Sequence, residues 1–203
     1  MIRHILALCN NTLEHISDEA VFQNASDGFN HYSVRCPNCG ASGKLSRYTH
    51  YKRWLMSYSG GKVRNSRISP IRFVCASCGE THALLTGNLV PYSSYSLSFM
   101  LTVLIAYFTR ITTVQAVCDH FEIAVSTMYV WRNRLFTHKG LALGALLSLK
   151  TPALDFLKGL FQSDRISDYL SDFFTHYGFS FMQNHTSKAA RSHPPPLSDR
   201  IRR

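Results

Sequence analysis

Cys36-Pro37-Asn38-Cys39-Gly40 and Cys75-Ala76-Ser77-Cys78-Gly79 are near copies of one pattern, Cys-x-x-Cys-Gly, with 35 residues between Cys39 and Cys75. Two cysteines separated by two residues on a tight turn aim both sulfurs at one point, and two such turns supply the four thiolates of a tetrahedral site. The glycine after each pair tolerates positive φ, which frees backbone N–H groups to face the sulfurs. The competing reading, a redox pair or disulfides, would place Cys-x-x-Cys at a helix start in a βαβ setting, which the flanking sequence lacks. One structural Zn2+ held by Cys36, Cys39, Cys75 and Cys78 is therefore expected. Cys9 and Cys118 fall outside this scheme as small apolar residues, and His82, close to the second pair, finds a shell already filled by four sulfurs.

Between the pairs lie two strand-like runs, Leu45 to Tyr58 and Val63 to Val74, separated by Gly60-Gly61. A long hairpin standing on two knuckles is a zinc ribbon. From Gly28 to Gly79 there is no acidic residue, while Arg35, Lys44, Arg47, Lys52, Arg53, Lys62, Arg64, Arg67 and Arg72 all fall there. The whole chain, 203 residues long, carries 22 Lys+Arg against 12 Asp+Glu, a formal charge of +10. That field attracts polyanions, so nucleic acid is the expected partner, with Arg47, Lys52 and Arg53 on phosphate.

Downstream, Pro91 and the serines around Ser93 to Ser96 interrupt the strand pattern. Ser96 is placed to cap a helix carrying Leu97, Met100, Leu101, Leu104, Phe108 and Ile111 on one face. Thr112 or Thr113 caps a second, short helix with Val114, Val117, Cys118 and Phe121 inward. A third runs from about Val125 to Phe136. Two short helices joined by a tight turn behind a scaffold helix make a helix-turn-helix. In that register Cys118, Ile123, Met128 and Trp131 face inward; Ser126, Tyr129, Arg132 and Asn133 face outward toward double-stranded DNA, with Arg134, His138 and Lys139 extending the phosphate contact. Glu122 stands where the turn favours Gly, and Ala124 where a capping Ser or Thr is usual.

In the last third, Thr151-Pro152 opens a helix over Ala153 to Phe161. Ser163-Asp164 opens another with Ile166, Tyr169, Leu170, Phe173, Phe174 and Tyr177 on one face, ended by Gly178. So aromatic a face is buried either within the chain, the favoured reading, or in a homodimer. Asp164, Asp168 and Asp172, four apart, read as a solvated face. The fold class is α+β: a 1–30 N-terminal extension, a 31–90 zinc ribbon, a 91–140 helix-turn-helix, 141–183 C-terminal helices and a 184–203 disordered basic tail. The start lacks a convincing signal-peptide cleavage site. The longest apolar run, Leu97 to Phe108, is too short for a ~30 Å bilayer. No membrane partner is expected, and the protein reads as soluble and cytoplasmic.

Cys36-Pro37-Asn38-Cys39-Gly40, Arg72-Phe73-Val74-Cys75-Ala76-Ser77-Cys78-Gly79-Glu80-Thr81-His82 and the stretch ending Thr127-Met128-Tyr129-Val130-Trp131-Arg132 together resemble the zinc-ribbon and helix-turn-helix front end of bacterial insertion-element transposases. They are also similar to short bacterial transposase-like proteins, in which Leu84-Leu85 and Pro91-Tyr92 follow the second knuckle in the same way. The resemblance spans roughly Arg35 to Lys139 and implies DNA binding by a mobile-element protein. A transposase of this kind carries an RNase H-like domain with three acidic metal ligands. After Lys139 there are five acidic residues, on helical or tail patterns. The expectation is a DNA-binding protein that is not an enzyme. The alternatives are an accessory or remnant transposase subunit, and an RNA-binding or protein-docking ribbon that uses Tyr48, Tyr51, Trp54 and Tyr58 as platforms.

Overall fold

The computed structural model describes residues 28–163 and 166–184, together with the backbone of residues 3–7. The expected basic tail, apart from residue 184, lies outside the described residues, as do Cys9 and Asp164. The architecture is α+β. Among the described residues six strands come first, β1 Arg3–Ala7, β2 Leu45–His50, β3 Arg53–Ser59, β4 Lys62–Ile68, β5 Ile71–Cys75 and β6 Thr81–Thr86. Six helices follow: α1 Leu97–Thr109, α2 Val114–His120, α3 Val125–Leu143, α4 Ala145–Lys150, α5 Ala153–Gln162 and α6 Ile166–Tyr177.

The two long strand runs are each broken in the middle. Ser69-Pro70 separates β4 from β5, since proline has no N–H for the ladder, and Tyr51-Lys52 separates β2 from β3 opposite it. A single bond, Tyr51 N–H to the Pro70 carbonyl at 3.1 Å, carries the hairpin across the break. Its distal half, β3–β4, is closed by Gly60 and Gly61 at φ 58° and 75°, the paired positive angles of a two-residue type I′ turn. Its proximal half joins a sheet of order β1-β6-β5-β2. β6 pairs antiparallel with β5, and β1 lies parallel to β6 from Arg3 opposite His82 to Ala7 opposite Thr86. The expected N-terminal extension thus contributes a strand to the ribbon sheet.

Alternation along β5 buries Ile71, Phe73 and Cys75 and leaves Arg72 and Val74 partly exposed. With Cys36, Leu45 and Leu84 these three form a small ribbon core. The helices and the C-terminal segment share a much larger one, from Val90 through Met128, Trp131 and Leu157 to Phe181 and Met182. α3 runs unbroken from Val125 to Leu143, across residues 140 and 141, and the helices before and after it share one core. Tyr58, at the far end of the hairpin, packs on this core, its ring centroid 4.9 Å from that of Phe121.

Local chemistry sets the helix starts. The Ser96 hydroxyl accepts from Phe99 N–H at 3.1 Å and the Thr113 hydroxyl from Ala116 N–H at 3.2 Å. α1 ends at Arg110, φ 55°, so Ile111, expected on its apolar face, is 85% exposed. Pro152 rather than Thr151 is the residue before α5, and no side chain caps that helix. In the turn before α3, Glu122 sits at φ 53°, in the left-handed region that favours glycine. Glu122→Gly relieves that strain, at some cost in unfolded-chain entropy, and is expected to stabilise the protein by about 0.5–1 kcal/mol in denaturant unfolding. A destabilised variant would show that the Glu122 side chain contributes more than its backbone costs.

The aromatic face of α6 is covered within the chain. Ile166, Leu170 and Phe173 are buried, and the Phe173 ring lies 5.3 Å from Phe181 and 4.7 Å from Tyr177. Intramolecular packing therefore accounts for the face that also suggested a homodimer. Asp168 and Asp172 are exposed.

Candidate metal centre and nucleic-acid interface

Each knuckle closes on its glycine. Gly40 N–H donates to the Cys36 carbonyl at 2.9 Å and Gly79 N–H to the Cys75 carbonyl at 2.8 Å, with φ 75° and 70° at the two glycines. Cys36 N–H in turn donates to the Ala41 carbonyl and Cys75 N–H to that of Glu80, so the two turns repeat one hydrogen-bond scheme. Ala76 N–H reaches across to the Lys44 carbonyl and ties the second knuckle to the start of β2.

This brings together the four cysteines marked by the sequence. Their sulfurs all lie within 4.8 Å of one another, with Cys36–Cys78 and Cys39–Cys75 both at 3.7 Å, and none is in a disulfide. A tetrahedron of thiolates with metal–sulfur bonds of about 2.3 Å requires sulfur–sulfur edges of about 3.8 Å, so the set fits a metal ion. Asn38 N–H points at Cys36 Sγ at 3.4 Å. Burial pushes the Cys75 thiol up, but N–H donation from Cys78 and Ser77 and the neighbouring Cys36 and Cys39 more than offset it, bringing it down to about 6. Cys39 moves oppositely: the Ala41 backbone lowers it, yet desolvation and the three surrounding sulfurs push it up to about 12.

His82 was expected to have no part in the shell. It lies against it instead: buried on β6, its Nε2 is 3.3 Å from Cys36 Sγ, and it supports a ligand rather than adding a fifth. Its place opposite Phe73 in the sheet is the signal, which only the pairing of β6 with β5 reveals. Cys118 is fully buried in the helical core, as expected of a small apolar residue.

The helix-turn-helix register is reproduced: Cys118, Ile123, Met128 and Trp131 are buried, while Ser126, Tyr129 and Asn133 are exposed. Arg132 is half-buried, its guanidinium 5.1 Å over the Phe136 ring and 3.3 Å from the Asn133 side-chain oxygen. The cations beyond it are placed differently from expectation. Lys139 is corrected: it is 3% exposed, and its ammonium donates to the Thr151 carbonyl at 2.6 Å. His138 is buried too, accepting at Nδ1 from Met182 N–H. Arg134 is half-buried and donates to the Met182 carbonyl at 3.1 Å; burial lowers its pKa.

On the ribbon, Arg47 and Lys52 are exposed, but Arg53 is half-buried and its guanidinium donates to the carbonyls of Val90 and Ser93, clamping the chain between the two cores. Of the four aromatics, Tyr48 and Trp54 are exposed, Trp54 beneath Arg67 at 5.6 Å. Tyr51 lies under Arg72 at 4.8 Å, and the Tyr58 hydroxyl bonds His120 Nε2 at 2.9 Å.

Among the described residues no helix is long and apolar enough to cross a membrane, and no three carboxylates converge on a point. Comparison with curated proteins and with solved structures finds no match. Residues 36–131, from the first cysteine of the metal set to Trp131 in α3, match the family model of a domain of unknown function, DUF6431.

Proposed function

We propose that this protein binds double-stranded DNA, with a zinc-stabilised ribbon holding phosphate and α3 reading bases. The observation that carries the reading is the division of α3: Met128, Trp131 and Leu135 lie in the core, while Ser126, Tyr129 and Asn133 stand outside it on the same short helix stretch, behind a tight turn. Asn pairs bidentately with adenine, and Ser and Tyr suit phosphate. Arg47, Lys52, Lys62, Arg64 and Arg67 give the ribbon an exposed basic surface, in a stretch with no acidic residue from Gly28 to Gly79. Zinc is the metal that a closed, four-thiolate, tetrahedral set favours, and its role is structural because no open position remains.

The mobile-element context rests on the resemblance of the knuckles and helix-turn-helix to transposase front ends. In this reading the protein acts as a regulator or accessory factor and leaves strand chemistry to another chain. Exposed Tyr48 and Trp54 among basic residues favour a second reading, a ribbon that stacks single-stranded nucleic acid.

Selection from a random duplex pool separates the two. Asn133→Ala is expected to relax the preference at one position by about 1–3 kcal/mol while leaving the salt dependence unchanged. An unchanged motif in that variant would remove Asn133 from base recognition, and tighter binding to single strands than to duplex would favour the second reading.

A further inference from the structure

Two pockets, of about 320 and 270 Å³, share the Pro91–Ser94 segment as a common wall. At its crest Tyr92 is 74% exposed and held at φ 58°, a left-handed backbone that an aromatic residue rarely adopts. The larger pocket is walled by the first turns of α3, with Ser126, Thr127, Val130 and Trp131, and by Arg134 and Asn184. One donor of the Arg134 guanidinium is fixed on the Met182 carbonyl, and Met182 itself sits at φ 62°. The remaining N–H groups of that fork are available to a ligand. The smaller pocket is walled by Tyr51, Arg53 and Arg72. There the Arg72 guanidinium lies over the Tyr51 ring at 4.8 Å, with its Nε buried and without a hydrogen-bond partner.

A nucleotide drawn out of a duplex presents two unstacked base faces, a hydrogen-bonding edge and a flanking phosphate on either side. The two pockets offer the matching set: an exposed ring for stacking, hydroxyls and an amide for the edge, and guanidinium groups on both sides for phosphate. From this we infer that the Tyr92 crest holds one unstacked DNA nucleotide, its base against Tyr92 and the wall of α3, its phosphates toward Arg134 and Arg72. The inference rests on the DNA-binding reading above, and it explains why a strained aromatic side chain is displayed beside α3. Nucleotide extrusion also bends duplex DNA, which would bring the basic ribbon and α3 onto the same site.

The test compares the metal-loaded full chain and its Tyr92→Ala and Tyr92→Phe variants on two oligonucleotides, a fully paired duplex and the same duplex carrying one bulged 2-aminopurine. Tyr92 is exposed, so both variants should keep the metal content and melting of the parent chain. The expected result is binding to the bulged duplex roughly tenfold or more tighter than to the paired one, with the fluorescence of the bulged base altered on binding. Tyr92→Ala should lose that preference, and Tyr92→Phe should retain it. Equal affinity for the two duplexes, or a preference that Tyr92→Ala keeps, overturns the inference while leaving the DNA-binding reading intact. Tyr92-dependent binding of the bulge without affinity for the paired duplex overturns that reading and keeps the crest as a nucleotide site. Binding to neither overturns both.

Discussion

Cys75→Ser is expected to unfold the ribbon while the helical core persists. Cys75 is fully buried at the end of β5, opposite Leu45, and its sulfur lies in the four-sulfur set. The apolar core around it comprises Cys36, Leu45, Ile71, Phe73, Cys75 and Leu84, too little to order some fifty residues unaided. In small metal modules the metal supplies roughly 10–16 kcal/mol of apparent binding free energy, which is also folding free energy. Serine offers no thiolate, so most of that is lost. Thermal melting followed by circular dichroism should show the β contribution gone at the outset and a helical transition remaining. A chelator should give the parent chain the same behaviour.

Acid should act through the same site. The metal-bound set carries fewer protons than the free thiols, so its stabilisation is present at neutral pH and is lost as falling pH reprotonates the cysteines. Melting that is indifferent to both chelator and substitution would show that the ribbon stands without a metal.

Trp131→Ala should produce the largest loss in the helical core, about 3–5 kcal/mol in denaturant unfolding. Trp131 is 3% exposed and meets the Tyr95 and Phe99 rings edge-on at 4.8 and 6.0 Å. It therefore joins α3 to α1 and to the segment that leads out of the ribbon. Removing it leaves a cavity where three elements meet, which cannot close without moving α3. Trp131→Phe keeps part of the aromatic contact and should cost distinctly less. A loss below about 1 kcal/mol for the alanine variant would mean that α3 is anchored mainly by Met128 and Leu135.

The parts of the fold that the sequence displayed are those governed by neighbours along the chain. Cys-x-x-Cys-Gly specifies its own turn, Ser96 and Thr113 their own caps, and the spacing of Met128 and Trp131 a buried helix face. The pairings that join distant segments were not displayed. β6 is buried almost throughout, so it has no alternation to announce it, and β1 is recognisable as a strand only through its partner. His82 gained its place beside Cys36 by that route.

The burial of Lys139 has a different origin, helical register rather than charge. Lys139 follows Leu135 by four residues and Trp131 by eight, on the face already assigned to the core, and the Thr151 carbonyl satisfies it there. Applying the helical period past Phe136 would have found it. Nothing local marks Arg53 or Arg134, whose acceptors lie 37 to 48 residues away in sequence.

Selection from a random duplex pool at physiological salt, with the chain loaded with zinc and again after chelation, decides whether the protein reads DNA through a metal-dependent fold, as proposed. The account predicts one zinc per chain, an enriched sequence motif, and loss of that enrichment with the metal. A zinc-loaded chain that retains all duplexes equally, or none, would contradict it.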